Sequence, residues 1–203
     1  MSRGGLLIWN DCAPEALADY ERWYQEEHLP ERAGIPGYRC GARYEALDLE
    51  ADSQRFFTLY ETASPEVFAS PAYLTRLANP TPWTQRVMPA FSRMNRTVCR
   101  QVAREGLSVG GALVTVGGAS AEALAPLARD CLGWSLWQAA GATGPVTPEM
   151  ALRGGADATV AAALLLSFAR PEEARAAAAR LAGQETVGCY RLLSVMTAEE
   201  AGA

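Results

Sequence analysis

The chain has 203 residues, 49% of them apolar and 20% charged, which is the composition of a soluble globular protein long enough for one large domain or two small ones. Its formal net charge is −5 and it carries no basic tract, so nucleic acid is not expected as a partner. All 18 basic residues are arginine, which excludes Schiff-base catalysis, pyridoxal phosphate attachment and a phosphate-loop lysine.

In chain order, Gly5–Asn10 reads as a strand, and its apolar stretch Leu6–Trp9 is too short for a signal-peptide core. Pro14 opens an amphipathic helix to about Leu29, with Asp11 or Cys12 near its cap. Tyr38–Leu47 and Arg55–Glu61 follow as strands rich in Tyr, Phe and Thr. Ser64 is expected to cap a second helical region that Asn79-Pro80-Thr81-Pro82 interrupts and Trp83–Phe91 resumes. Met94–Arg104 closes the unit as a strand, so the order is βαββαβ.

The second half repeats that order. Ser108–Val116 reads as a strand, Ser120 caps a helix to about Leu132, and Trp134–Ala139 is a short strand. A Gly/Pro-rich loop, Gly141–Pro148, precedes the strand Thr159–Phe168, an Ala-rich helix from Pro171 to Leu181, and the strand Thr186–Met196. Ala158–Leu166 is apolar but only about half the length of a membrane-spanning helix. The predicted fold is α+β. Two tandem ferredoxin-like βαββαβ repeats, residues 1–104 and 107–196 with a tail at 197–203, pack their sheets together in one chain, and Gln101–Gly106 links them.

The five cysteines, Cys12, Cys40, Cys99, Cys131 and Cys189, are odd in number and contain no CxxC pair, which points to free thiols and a reducing, cytoplasmic setting. No metal site is expected, because one histidine cannot complete a zinc set with scattered cysteines. The chain also lacks GxGxxG, GxxxxGK[ST], GxSxG and HExxH motifs, so nucleotide cofactors, serine hydrolysis and zinc hydrolysis lose support.

The lone histidine is therefore the first candidate for proton chemistry. At 100° per residue, Leu17, Tyr24 and His28 share one helix face with Tyr20 beside them, while Trp23 and Glu27 lie on the flank. Glu26, Glu27 and Glu31 could orient the imidazole or raise its pKa, or form a solvated face. On the second strand, Arg39 and Arg43 are expected on one face, with Tyr38, Cys40 and Tyr44 on the other. Arg43 suits capture of carboxylate or enolate oxygens, and Tyr44 and Tyr60 could donate to a developing oxyanion; pairing with Glu45 or Glu61 and core packing are the alternatives. Trp83 and Arg86, set by the prolines, read as a pocket wall or an inter-subunit contact, and Tyr24 as a ligand contact. The second half, without histidine, is expected to complete the barrel rather than carry catalysis.

The segments Trp23–Ala46, Gln54–Glu61 and Ser70–Phe91 resemble the EthD-like branch of the dimeric α/β-barrel superfamily, through a helix ending His28-Leu29-Pro30 and Pro36-Gly37 before the second strand. The resemblance covers the first half; the second shares only element order. That superfamily includes muconolactone isomerases, cofactor-free monooxygenases, polyketide cyclases and some haem-handling barrels. The resemblance implies a pocket between helix and sheet with His28 at its rim or floor, and no single reaction. The leading expectation is an enzyme without a cofactor, acting on a small apolar or aromatic molecule with an acidic C–H or O–H. His28 is its general acid/base, with Tyr44, Tyr60 or Arg43 stabilising an enolate. A non-catalytic ligand-binding or assembly module and haem binding through His28 stay open, as does a homodimer of the two-repeat chain.

Overall fold

The structure, a computed structural model, describes residues 2–49, 54–107, 109–118, 127, 129–141, 147–154, 157–181, 183–184 and 186–202. Eight strands close into one antiparallel barrel: β1 (Gly4–Cys12), β2 (Tyr38–Ala46), β3 (Phe56–Thr62), β4 (Phe91–Gly106), β5 (Ala112–Gly117), β6 (Gly133–Ala139), β7 (Ala162–Phe168) and β8 (Thr186–Thr197). Around the barrel they run β4-β1-β3-β2 and then β8-β5-β7-β6, so each half has the same ferredoxin-like order. The β2–β8 and β4–β6 ladders join the halves and leave the barrel without a free edge.

The predicted linker Gln101–Gly106 is not a linker. It continues β4 and pairs with β6, from Gln101 opposite Trp137 to Gly106 opposite Gly133. A closed barrel needs that ladder, which explains why β4 is the longest strand.

Alternation sorts the core into layers. Leu6 and Ile8 of β1 face the helices, whereas Leu7 and Trp9 face the barrel interior with Phe57, Leu59, Trp137 and Leu165. Both faces are covered, so β1 reads as a continuous apolar run. On the outer face of the second half, α6 (Pro171–Arg180) sets Ala174 and Ala177 against Leu164, Leu166 and Phe168.

The first helical run departs from expectation in length and form. It proceeds as a 3₁₀ turn (Pro14–Ala16), α1 (Leu17–Trp23), a π turn (Tyr24–His28) and α2 (Leu29–Ala33). It continues through Pro30 instead of stopping at Leu29, and no side chain caps its start. The Asp11 carboxylate instead accepts the Arg55 N–H at 2.7 Å and pairs with Arg93. The run ends in a tight turn in which the Tyr38 N–H donates to the Ile35 carbonyl across Pro36-Gly37. Gly37 has φ 93°, and a Cβ there would lie 2.7 Å from Val67, so this type II turn requires glycine.

Ser64 caps nothing. Ser70 caps α3 (Pro71–Ala78) and Thr81 caps α4 (Pro82–Val87), each hydroxyl accepting a backbone N–H three residues on. The helix expected to start at Ser120 falls largely outside the described residues. At the end of the predicted loop Gly141–Pro148 the chain forms a short α5 (Pro148–Ala151) capped by Thr147. Among the described residues no helix is long and apolar enough to cross a membrane.

Candidate functional site

The π turn positions the histidine. Its last N–H, from Leu29, donates to the Tyr24 carbonyl five residues back, so the register slips by one residue just ahead of Pro30. Pro30 has no N–H for an α-helical bond, and its ring would collide with the carbonyl four residues back; widening the turn relieves both problems. The slip brings His28 over Trp23, with ring centroids 4.2 Å apart at 30°, and Tyr24 meets its edge at 5.1 Å. Trp23 is therefore fully buried rather than on the flank. Its indole N–H donates to Glu27 Oε1 at 3.1 Å and Thr84 Oγ1 at 3.2 Å, which pins the stack to α4.

None of the three nearby carboxylates serves the imidazole. Glu27 accepts from Trp23, Thr81 and Thr84, Glu31 pairs with Arg76, and Glu26 pairs with Arg22 at the surface. Burial, followed by the charges of Arg32, Arg76, Arg43 and Arg153, holds the His28 pKa well below its ordinary value, the opposite of what nearby carboxylates could have done. The imidazole is neutral at pH 7. It is 5% exposed, and Nδ1 has no hydrogen-bond partner among the described residues.

His28 lines a narrow chamber of about 30 Å³ between the helices and the outer face of the first half-sheet. Leu6 and Ile8 of β1, Tyr60 of β3 and Phe91, Met94 and Arg96 of β4 form the sheet wall. Tyr24, Arg32, Tyr73 and Leu77 come from the helices, and Glu149, Met150 and Arg153 cross over from the second half. Arg32 and Glu149 form a buried ion pair between the halves, and Arg153 pairs with Asp157 at 2.6 Å. Arg96 is 8% exposed; its guanidinium donates to the Tyr73 hydroxyl at 2.5 Å and has no carboxylate within ion-pair distance among the described residues. The Tyr60 hydroxyl approaches the Tyr24 phenol without a well-formed hydrogen bond.

Phe91, Met94 and Arg153 also line a wider hollow of about 410 Å³, bounded by Gln54, Ser92, Arg93, Asp157 and Ala158. A bulge builds its wall: the β1–β4 register shifts between Trp9 and Asp11, and Arg93 adopts φ 45°. Beyond the bulge, residues 157–160 lie along β4, with the Arg96 N–H donating to the Ala158 carbonyl at 2.9 Å.

Of the expected site residues, His28, Tyr24 and Tyr60 share the chamber. Arg43 packs its guanidinium 3.9 Å from the Tyr24 ring centre and pairs with Glu21 at 3.1 Å, outside the residues that line the chamber. Tyr44 points into the barrel interior beside Phe57, on the opposite face of the sheet from His28. Trp83 and Arg86 of α4 are both bonded to Asp19 of α1 and brace those two helices rather than line the chamber. A bulge between Tyr38 and Cys40 overturns the expected alternation on β2: Tyr38 joins Tyr60 and Tyr73 on the helix side, and Arg39 is exposed.

Sequence reasoning missed Arg32, Arg96, Glu149 and Arg153. Arg96 had one readable sign, its register with Met94 and Val98 on the apolar face of β4. The thiols are poor nucleophiles, since burial pushes Cys12 and Cys40 up to about 11 and Cys99 up to about 12.

No protein-family profile and no curated protein matches the chain. Solved structures do match. An anthrone oxidase-like protein aligns over 98% of this chain and 94% of its own length, with TM-score 0.57 and 12% identity. A provisionally named monooxygenase from Fusobacterium nucleatum aligns over 97% and 94%, with TM-score 0.59 and 9% identity. A provisionally named chlorite dismutase aligns over 100% and 98%, with TM-score 0.55 and 10% identity. The fold is that of the dimeric α/β barrels, with both halves in one chain. At such identities the likeness concerns fold alone. Haem ligated through His28 does not fit these residues: the imidazole lies against Trp23 and opens on about 30 Å³, far below the ≈300–1,000 Å³ of sites that enclose larger ligands.

Proposed function

We propose that this chain is an enzyme that removes a proton from an acidic C–H or O–H of a small, largely apolar or aromatic molecule, with His28 as general base and then general acid. One observation carries the reading: the only imidazole is buried, neutral and without a hydrogen-bond partner at Nδ1, on the wall of a chamber that it shares with a buried arginine. A neutral imidazole can take the proton while the electron pair left behind delocalises onto a ligand oxygen. Imidazolium and enolate then form together, so the net charge of the chamber does not change during the step. Arg96 and the Tyr60 hydroxyl lie on the same chamber wall to receive that oxygen. No organic cofactor is needed for this step, since base, cation and phenol all belong to the chain.

The wider hollow is of a size that suits a small ligand's body, and Met94, unbranched and adaptable, stands between it and the inner chamber. The EthD-like resemblance of residues 23–91 supports the same placement. Isomerase, lyase, cyclase and cofactor-free oxygenase chemistries all begin with this abstraction. A binding module is the second reading, favoured by the narrowness of the inner chamber.

Acetone, a small ring-free molecule with weakly acidic methyl C–H bonds, is a suitable probe. In deuterated buffer, the wild-type protein should catalyse exchange of the methyl hydrogens. His28→Gln should fold normally and lose roughly two to four orders of magnitude in that rate. Equal exchange by both proteins would rule out His28 as the base, and absence of exchange with retained acetone binding would favour the module.

A further inference from the structure

The arginines around the chamber differ in their partners. Arg32 is matched by Glu149, Arg153 by Asp157, Arg76 by Glu31 and Arg43 by Glu21. Arg96 donates to the Tyr73 phenol and has no direct ion-pair partner among the described residues, Asp157 acting on it only at longer range. A buried guanidinium without an anion is costly, and such a cation persists where a ligand supplies the counter-charge. The polar atoms around it point the same way. Arg32 Nη1, Arg153 Nε, the Tyr60 hydroxyl and His28 Nδ1 are all buried without a hydrogen-bond partner among the described residues, and all four side chains line the chamber. Two arginine N–H groups and a phenol hydroxyl thus face the chamber beside a guanidinium that has no direct anion partner.

We infer that the inner chamber is a monoanion subsite, in which Arg96 with Arg32 receives a carboxylate-sized group of the ligand while the Tyr60 hydroxyl remains for the enolate oxygen. The inference deepens the proposed function by naming the ligand class, a small acid with an anionic end and an apolar body. Size agrees with charge. A water needs about 10–15 Å³ on the same measure, so about 30 Å³ admits a group of two or three heavy atoms and excludes a ring. The apolar body would extend past Met94 into the hollow of about 410 Å³, where Phe91 and Ala158 offer apolar surface. Arginine also fits the planar geometry of a carboxylate, whose two oxygens can accept parallel N–H bonds.

Formate tests the subsite directly, with formamide as the uncharged match and chloride at equal ionic strength as the generic anion. Binding is read from the ring C–H resonances of the single histidine and from calorimetry. Saturable binding of formate, with none of formamide, is expected, and Arg96→Gln should weaken it by about tenfold or more. Equal binding of formate and chloride, or no formate binding, would overturn the inference. So would unchanged affinity in a folded Arg96→Gln protein. The comparison of formate with formamide needs no variant and stands even if Arg96→Gln fails to fold. His28→Gln should still bind formate, so loss of the general-base reading and loss of the anion subsite are separate outcomes.

Discussion

At His28 the cost of burial is visible in the missing hydrogen bond. A buried polar group left unpaired costs about 1–3 kcal/mol, and a structural histidine would avoid that cost by bonding to a carbonyl or carboxylate. Here the nearby carboxylate of Glu27 is engaged by Trp23 and Thr81, and the ring rests against Trp23. Protonation adds a second cost, because four arginines repel the imidazolium. Stability should therefore depend on pH with a definite sign. The folded pKa lies below the ordinary 6.5 of the unfolded chain, so below that pH the unfolded state binds more protons. This contribution is fully present above pH 6.5 and is lost as pH falls through the folded value. Urea denaturation at pH 8 and pH 5 should show the wild type losing more stability than His28→Gln; parallel losses would contradict the neutral, buried imidazole. His28 could be singled out from the sequence because it is the only histidine. Arg96 offered only its register with Met94 and Val98, which was too little, since an arginine on a strand ordinarily reaches solvent and only the closed chamber shows that this one does not.

At the scale of elements, Pro30 matters most. The helical periodicity of residues 14–29 was readable, but the one-residue slip of Tyr24–His28 was not, because a fixed 100° step places Trp23 on the flank. Replacing Pro30 by Ala restores the missing N–H and removes the ring clash, so an uninterrupted α-helix becomes available. Pro30→Ala should fold at least as stably as the wild type in a thermal melt. Its His28 ring C–H resonances should lose the upfield displacement that stacking on Trp23 imposes. Unchanged resonances would show that packing, rather than Pro30, sets the π turn. The β2 bulge at Tyr38–Cys40 and the β1–β4 bulge at Arg93 escaped sequence reasoning for the same reason. A strict period of two assigns every side chain a face, and one extra residue reverses the assignment.

At the scale of the whole molecule, the two-repeat barrel was legible because both halves spell βαββαβ, and each strand order follows from that connectivity. The composite nature of the site was not legible. Residues 149–158, between the predicted loop Gly141–Pro148 and the strand from Thr159, carried no assignment, yet Glu149, Met150 and Arg153 close over a chamber built by the first half. Glu149→Gln would leave Arg32 charged and buried without its anion, and should cost about 3–5 kcal/mol in chemical denaturation. Arg32→Met combined with Glu149→Leu, which removes both charges, should recover much of that loss; failure of the double variant to recover would mean that the pair acts through shape rather than charge. Every part of the barrel bears on one quantity, the protonation state of the imidazole it encloses. Because the chain has a single histidine, a proton NMR titration of the intact protein reports that state without any assignment problem. The expected result is a His28 pKa well below 6.5, with the ring neutral at pH 7. A value at or above 6.5 would contradict a neutral general base in the chamber.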